Sequence, residues 1–283
     1  MKRGQSMIQI RVCEKLDYYD DILKNLRAYN EQFTKNTSAS NTFFVYVYEE
    51  DKLIGAIKTV SSWNWVSIKA LFYNSKDVLA HLVYTVWNFY KEDVEGIKFF
   101  SPSKDRHSDM LSIGCVDKGK VLGTPQTVPY YYYADFLGDT QKLITECYQI
   151  VTSETGLKEE NKILNQKYHN FNQKYNEVDK NGEFAIVALE DDLFVGGVTC
   201  DVYEDYIYVD LLIVNESHRN RHIGQNLMLK VEEEARKRKC VQINLGTTQF
   251  QAKEFYEKLG YEVVYTRQEN PKGYECYTLH KNI

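Results

Sequence analysis

Paired cysteines are missing from this chain, and two classes of small protein are excluded with them. Its six cysteines, at 13, 115, 147, 200, 240 and 276, include no C-x-x-C pair, so neither a disulfide framework nor a metal site is indicated. A long apolar run is missing too: no window approaches the ~18 to 20 apolar residues of a membrane-crossing helix. The basic start MKRGQSMIQIRVCEKLD has no apolar core of signal-peptide length. These absences read as a cytoplasmic protein with no membrane partner, and residues 1–6 as an extension ahead of Met7. Charge of one sign is also scarce. The net charge is −5 over 283 residues, in short runs of mixed sign, which gives no electrostatic case for nucleic acid. Core-forming residues are plentiful at 43%, and at ~100 to 200 residues per domain the length allows two domains.

The most informative stretch is YIYVDLLIVNESHRNRHIGQNLMLKVEEEARKR, from Tyr206 to Arg238. Tyr206 to Val214 is β-branched, aromatic or leucine apart from Asp210, and a polar turn ends it, which predicts a strand. Ile223, Leu227, Val231 and Ala235 then recur at every fourth position, with Gln225, Lys230, Glu232, Glu233 and Arg236 pointing elsewhere. That pattern predicts an amphipathic helix. Unpaired N–H groups at the start of such a helix suit a phosphate or pyrophosphate, Arg219 and Arg221 add charge, and Gly224 admits close backbone approach.

Strand, V-x-x-x-x-R-x-x-x-x-G loop and helix together resemble the acetyl-CoA motif of the GNAT-type N-acetyltransferase superfamily, R/Q-x-x-G-x-G/A. Arg219 and Gly224 match its ends, and His222 stands at its first glycine. A second block, TTQFQAKEFYEKLGYEVV, is similar to the superfamily's N-x-x-A-x-x-x-Y-x-x-x-G-F segment, with Ala252, Tyr256 and Gly260 in register. The resemblance implies acetyl-CoA as co-substrate. At the loop it would be held by Arg219, Asn220, Arg221, His222, Ile223, Gly224 and Gln225. Leu212, Ile213 and Val214 would follow the pantetheine arm, and Gln249, Ala252, Phe255 and Tyr256 would complete the site.

Acetyl transfer to an amine needs a free base more than an acid. A lysine-like amine of pKa ~10.4 lies over three units above pH 7, about 4 to 5 kcal/mol, whereas a thiol near ~8.5 costs about 2 kcal/mol. Asp210 is the first candidate base, directly or through a water; the competing reading is a buried carboxylate paired with a cation. Glu216 is the second candidate, or else a helix-entry residue. By resemblance Tyr256 would face the leaving sulfur; otherwise it is a core tyrosine beside Phe255. His218 and His222, four apart in a loop, do not make a metal site.

The first half repeats the order of the second. TFFVYVYEEDKLIGAI lies beside EFAIVALEDDLFVGGV, and NWVSIKALFYN beside DYIYVDLLIVN; Gly55 and Gly196, and Asn74 and Asn215, share an offset of 141. The first copy runs from Asn74-Ser-Lys-Asp77 straight into helix, without the loop. The expectation is therefore an α+β fold of two tandem GNAT-like domains, each a mixed, mostly antiparallel sheet flanked by helices. Residues 7–138 would form a degenerate domain without the phosphate loop, residues 139–283 the acetyltransferase domain, and each would fold separately. Aromatics such as Trp63, Trp65, Trp87, Phe99 and Tyr130 to Tyr133 fit core packing or the shaping of an acceptor pocket. The implied activity is N-acetylation of a primary amine by direct attack. A small-molecule acceptor is favoured because no peptide-binding signature is present. The chain is expected to be a monomer or homodimer. Alternatives are a non-catalytic acyl-CoA-binding protein and a protein or peptide N-acetyltransferase.

Overall fold

The computed structural model describes residues 8–13, 16, 18–34, 41–122, 130–138, 148–174 and 180–283. The first half contains β1 (Ile8–Cys13), α1 (Tyr19–Asn30), β2 (Thr42–Glu49), β3 (Lys52–Ser62), β4 (Trp65–Tyr73) and α2 (Lys76–Tyr90), then β5 (Gly96–Ser101), α3 (Lys104–Ser112), β6 (Val116–Leu122) and β7 (Tyr130–Phe136). The second half contains β8 (Gln149–Ser153), α4 (Lys158–Gln173), β9 (Gly182–Glu190), β10 (Leu193–Val202) and β11 (Tyr206–Val214). A single 3-10 turn, Glu216–His218, leads to α5 (Ile223–Lys237), β12 (Gln242–Thr248), α6 (Lys253–Lys258), β13 (Glu262–Arg267) and β14 (Cys276–Asn282). Among the described residues no helix is long and apolar enough to cross a membrane.

Two seven-stranded sheets form, ordered β1-β9-β10-β11-β12-β14-β13 and β8-β2-β3-β4-β5-β7-β6. The orders correspond strand for strand. The parallel neighbours are β11 with β12 in one and β4 with β5 in the other, and the remaining pairs are antiparallel. Both central hairpins turn on two acidic residues with left-handed backbone, Glu50 and Asp51 (φ 45° and 63°) and Asp191 and Asp192 (φ 51° and 61°). That conformation matches the strand twist of a two-residue hairpin. Bulges coincide as well: the register skips Ile54 in β3 and Val195 in β10, and skips Lys69 in β4 and Asp210 in β11.

The expected domain boundary is not the structural one. The described residues of 1–37, 178–269 and 273–283 make one compact unit, and those of 38–177 with 270–272 the other. β1 pairs with β9 from Ile8↔Glu190 to Cys13↔Ala185, and α1 packs on β10 and β11. Conversely β8 pairs with β2, and α4 packs on β3 and β4. Each sheet thus takes its edge strand and following helix from the other half of the sequence, and a division at 138/139 would strip both. Residues 139–147, where the boundary was expected, lie outside the described residues. Local pattern explains why β1 and α1 dock. Ile8, Ile10 and Val12 alternate onto the core, and the fully buried Ile22 of α1 sits over Gly197, where a Cβ would come within 2.8 Å of it.

On the other face α5 buries Ile223, Leu227, Val231 and Ala235, as the spacing predicts, together with Met228. Glu232, expected to face outward, is instead buried, and its carboxylate accepts from Lys281 Nζ at 2.7 Å. The same ammonium holds Leu259 O at 2.7 Å, so one cation ties α5, β14 and the end of α6. Breaking such a buried pair strands a charge. Lys281→Met is expected to lower unfolding free energy by about 3 kcal/mol in urea titration, whereas a surface pair of the same geometry is worth about 0 to 1 kcal/mol; a loss within the surface range would contradict this role.

Candidate functional site

Pairing between the parallel strands β11 and β12 stops at Val209↔Leu245, although β11 continues to Val214 and β12 to Thr248. The strands part there into a wedge. Because β11 stays paired with β10 as far as Gly196↔Val214, its other edge borders the wedge from Asp210 onward. Such an edge suits an extended, amide-bearing ligand. Four of the expected cofactor residues, Leu212, Val214, Ala252 and Phe255, are partly buried at the rim of the core, and Ile213 is buried.

The loop at the end of β11 is shaped to hold an anion with its backbone. Asn220 and His222 have left-handed φ of 60° and 59°, and alternation of left- and right-handed residues turns successive N–H groups into one concavity. The first helical bond of α5 is Asn226 N–H to His222 O at 2.9 Å, which leaves the N–H groups of Ile223, Gly224 and Gln225 without an intrahelical acceptor. His222 Nδ1 lies 3.0 Å from Gln225 Oε1. At Gly224 a Cβ would meet Phe255 Cζ at 3.4 Å and Val214 Cγ2 at 3.6 Å, so the helix start, strand end and α6 converge on this residue.

The two arginines do other work than the sequence suggests. Arg221 pairs with Glu190, Nη2 to Oε1 at 2.6 Å, and His218 Nε2 lies 3.0 Å from the other oxygen, so both fasten the loop to the β9–β10 hairpin. Arg219 lies 4.8 Å over the Tyr29 ring and donates to Val214 O. The N–H groups of Ile223, Gly224 and Gln225 are the donors at the loop without an intrahelical acceptor. The left-handed His222 occupies a conformation that glycine adopts without strain, at about 1 kcal/mol for another residue. His222→Gly is therefore expected to retain acetyl-CoA affinity within about threefold; a large loss in calorimetry would give the imidazole a direct binding role.

Tyr256, on α6, is buried in the core and packed edge-on against Phe255 and Tyr261. Burial pushes its phenol well above 10.0, with the Cys200 and Tyr208 groups adding to the rise. It is a proton donor throughout the physiological range. A raised folded pKa stabilises fully below the unfolded value of 10.0 and is lost as pH climbs beyond it, so Tyr256 contributes no falling limb to stability or rate between pH 7 and 10. Asp210 is exposed on the bulge of β11 and not buried as the competing reading required; burial first, and then the Asp210 charge, raises the phenol pKa of Tyr19 on α1. Glu216 is exposed at the start of the 3-10 turn, where its carbonyl accepts from Arg219 N–H. Gln249, expected at the cofactor, instead exchanges hydrogen bonds with Glu275: its N–H donates to Glu275 O at 2.8 Å, and its Oε1 accepts from Glu275 N.

Sequence reasoning missed the contribution of α1. Tyr29 Oη donates to Phe250 O at 2.8 Å, and Asn30 Oδ1 accepts from Gln251 Nε2 at 2.9 Å. Phe33 stacks on Phe250 at 5.0 Å. With Arg219 on Tyr29, the end of α1 reaches from the loop after β11 to the loop after β12. Helical periodicity marks residues 18–33 as a helix, but no local signal says which sheet it will cover.

Comparison with known proteins follows this geometry. Residues 139–261 match the model of the Acetyltransferase (GNAT) family. Over 88 residues the chain is 32% identical to an acetyltransferase of Agrobacterium fabrum, covering 31% of this chain and 64% of that protein. Over 89 residues it is 30% identical to blasticidin-S acetyltransferase of Streptomyces morookaense, covering 31% and 65%. It thus spans just under two thirds of each relative. A crystal structure of an acetyltransferase from Bacillus cereus aligns with a TM-score of 0.42 at 30% identity, over 46% of this chain and 96% of that one.

Proposed function

We propose that the chain, whose residues 139–261 match the model of the Acetyltransferase (GNAT) family, moves an acetyl group from acetyl-CoA to a primary amine of a small molecule. The work is done in the unit that joins β1 and α1 to residues 180–269 and 273–283. One observation carries this reading: the wedge between β11 and β12 ends at a loop whose amides converge beside Gly224. Pyrophosphate would rest on the amides of residues 220–225, and the pantetheine arm would run along the open edge of β11 past Leu212 and Val214. Acetyl-CoA supplies the acetyl group activated as a thioester. Asp210, exposed on the α1 side of β11, takes the proton from the attacking amine, directly or through a water. Tyr256 donates a hydrogen bond to the sulfur as the carbon–sulfur bond breaks, a role that a phenol held neutral by burial fits.

A cationic acceptor is favoured by the exposed carboxylate of Asp210 on the bulge of β11. A relative named for acetylating blasticidin-S is consistent with a small molecule. The unit formed by residues 41–174 is read as a degenerate copy, because Asn74 and Ser75 alone join β4 to α2 and leave no room for a phosphate loop. Four described cysteines, Cys13, Cys115, Cys200 and Cys240, are buried free thiols, which suits the cytoplasm.

Thiol release from acetyl-CoA, followed across a panel of small amines, tests the reading. Tyr256→Phe is expected to lower turnover by about ten- to a hundredfold while leaving acetyl-CoA affinity unchanged. Unchanged turnover would remove Tyr256 from the mechanism. Tight acetyl-CoA binding without thiol release for any amine, the full peptide range included, would leave a non-catalytic acyl-CoA-binding protein.

A further inference from the structure

We propose that the unit formed by residues 41–174 holds a binding site of its own, for a small aromatic carboxylate, in the wedge where its parallel strands part. β4 and β5 pair only from Trp65↔Gly96 to Ser67↔Lys98. Beyond that point a cavity of about 140 Å³ opens between them and α4. Its walls are apolar and flat: Ile68 and Leu71 from β4, Phe99 and Phe100 from β5, Tyr168 and Phe171 from α4. The volume is close to that of the ~150 Å³ cavities that admit one benzene ring.

Its polar groups define the rest of the ligand. Asn172 lines the cavity at only 7% exposure, and among the described residues its side-chain amide makes no hydrogen bond. That amide offers a ligand in this space both a donor and an acceptor. Ser101, 3% exposed, also lines the cavity, and its Oγ accepts from Ser103 N–H at 3.1 Å. Two cations complete the lining, Arg106 and Lys69, and no acidic residue is among the eleven residues around the space. The Arg106 guanidinium stacks 3.3 Å from the centre of the Phe171 ring and donates to Leu71 O at 2.9 Å.

Lys69 stands on the bulge of β4, the position that Asp210 occupies on the bulge of β11. The unit with a phosphate loop places a carboxylate there, and the unit without one places an ammonium. The charge preference of the ligand is reversed accordingly. A phosphate-bearing cofactor does not fit, since Ser75 caps α2 through Val78 N–H and no left-handed loop precedes that helix.

Benzoate titrated into the whole chain by calorimetry is the test. Binding with a Kd between about 10 μM and 1 mM is expected, with benzamide and benzylamine at least about tenfold weaker. Lys69→Glu, at an exposed position that leaves the core untouched, is expected to weaken benzoate about tenfold or more, as is Asn172→Leu. No heat with benzoate at about 10 mM, equal affinity for benzylamine, or full benzoate affinity in Lys69→Glu would each overturn the proposal. If Asn172→Leu fails to fold, Ser101→Ala takes its place, with the same expected loss.

Discussion

A Gly224→Val chain is expected to bind acetyl-CoA at least about a hundredfold more weakly than the parent, a change of about 2.7 kcal/mol, while Gly224→Ala loses far less. The first added carbon has room. A Cβ at this position touches Phe255 and Val214 at 3.4 and 3.6 Å, ordinary van der Waals separations, and alanine in the first turn of a helix removes the entropic cost of glycine, about 0.5 to 1 kcal/mol. The two further methyls of valine extend from a Cβ already in contact with Phe255 and Val214, beside the N–H groups of Ile223, Gly224 and Gln225 proposed to hold the phosphates. Fold and binding therefore respond differently to the same position. Thermal unfolding of both variants, read beside calorimetry, separates them, and equal acetyl-CoA affinity in parent and valine variant would place the cofactor elsewhere.

Unseating α1 is expected to have the largest effect on stability. Ile22 is fully buried above Gly197, and truncating such a side chain costs about 2 to 5 kcal/mol against a typical total of about 5 to 15 kcal/mol. Ile22→Ala is expected to fall in that range in urea titration and to reduce acetyl transfer, since α1 also carries the Tyr29 ring beneath Arg219. A chain starting at residue 139 loses more. It lacks both α1 and the six residues of β1 that cover β9, and is expected to show no cooperative unfolding transition. A cooperative transition in that fragment would mean that the exchanged strand and helix are dispensable.

Much of this architecture can be read locally. The run from Tyr206 to Lys237 folds as strand, loop and helix because its apolar spacing changes from that of a sheet to that of a helix, and nothing distant has to be known. The hairpins at Glu50-Asp51 and Asp191-Asp192 are likewise local. Three features are not. The exchange of β1 and β8 depends on which sheet offers an edge, a property of the assembled fold and not of residues 8–13. Arg221 reads as a phosphate ligand until Glu190, 31 residues earlier, claims it. Glu232 reads as solvent-facing until Lys281, 49 residues later, meets it in the core. Bulges are silent in the same way: nothing in the composition of Leu-Ile-Val around Asp210 announces that the register skips there and turns the carboxylate toward α1.

Titration of acetyl-CoA into the whole chain and into Gly224→Val, with stoichiometry read as closely as affinity, tests the central claim most directly. One site per chain, abolished in the variant, is the predicted result. It would place the cofactor at the amide loop of the unit that carries β11, β12 and α5. Two sites per chain, or a single site that survives the substitution, would contradict it.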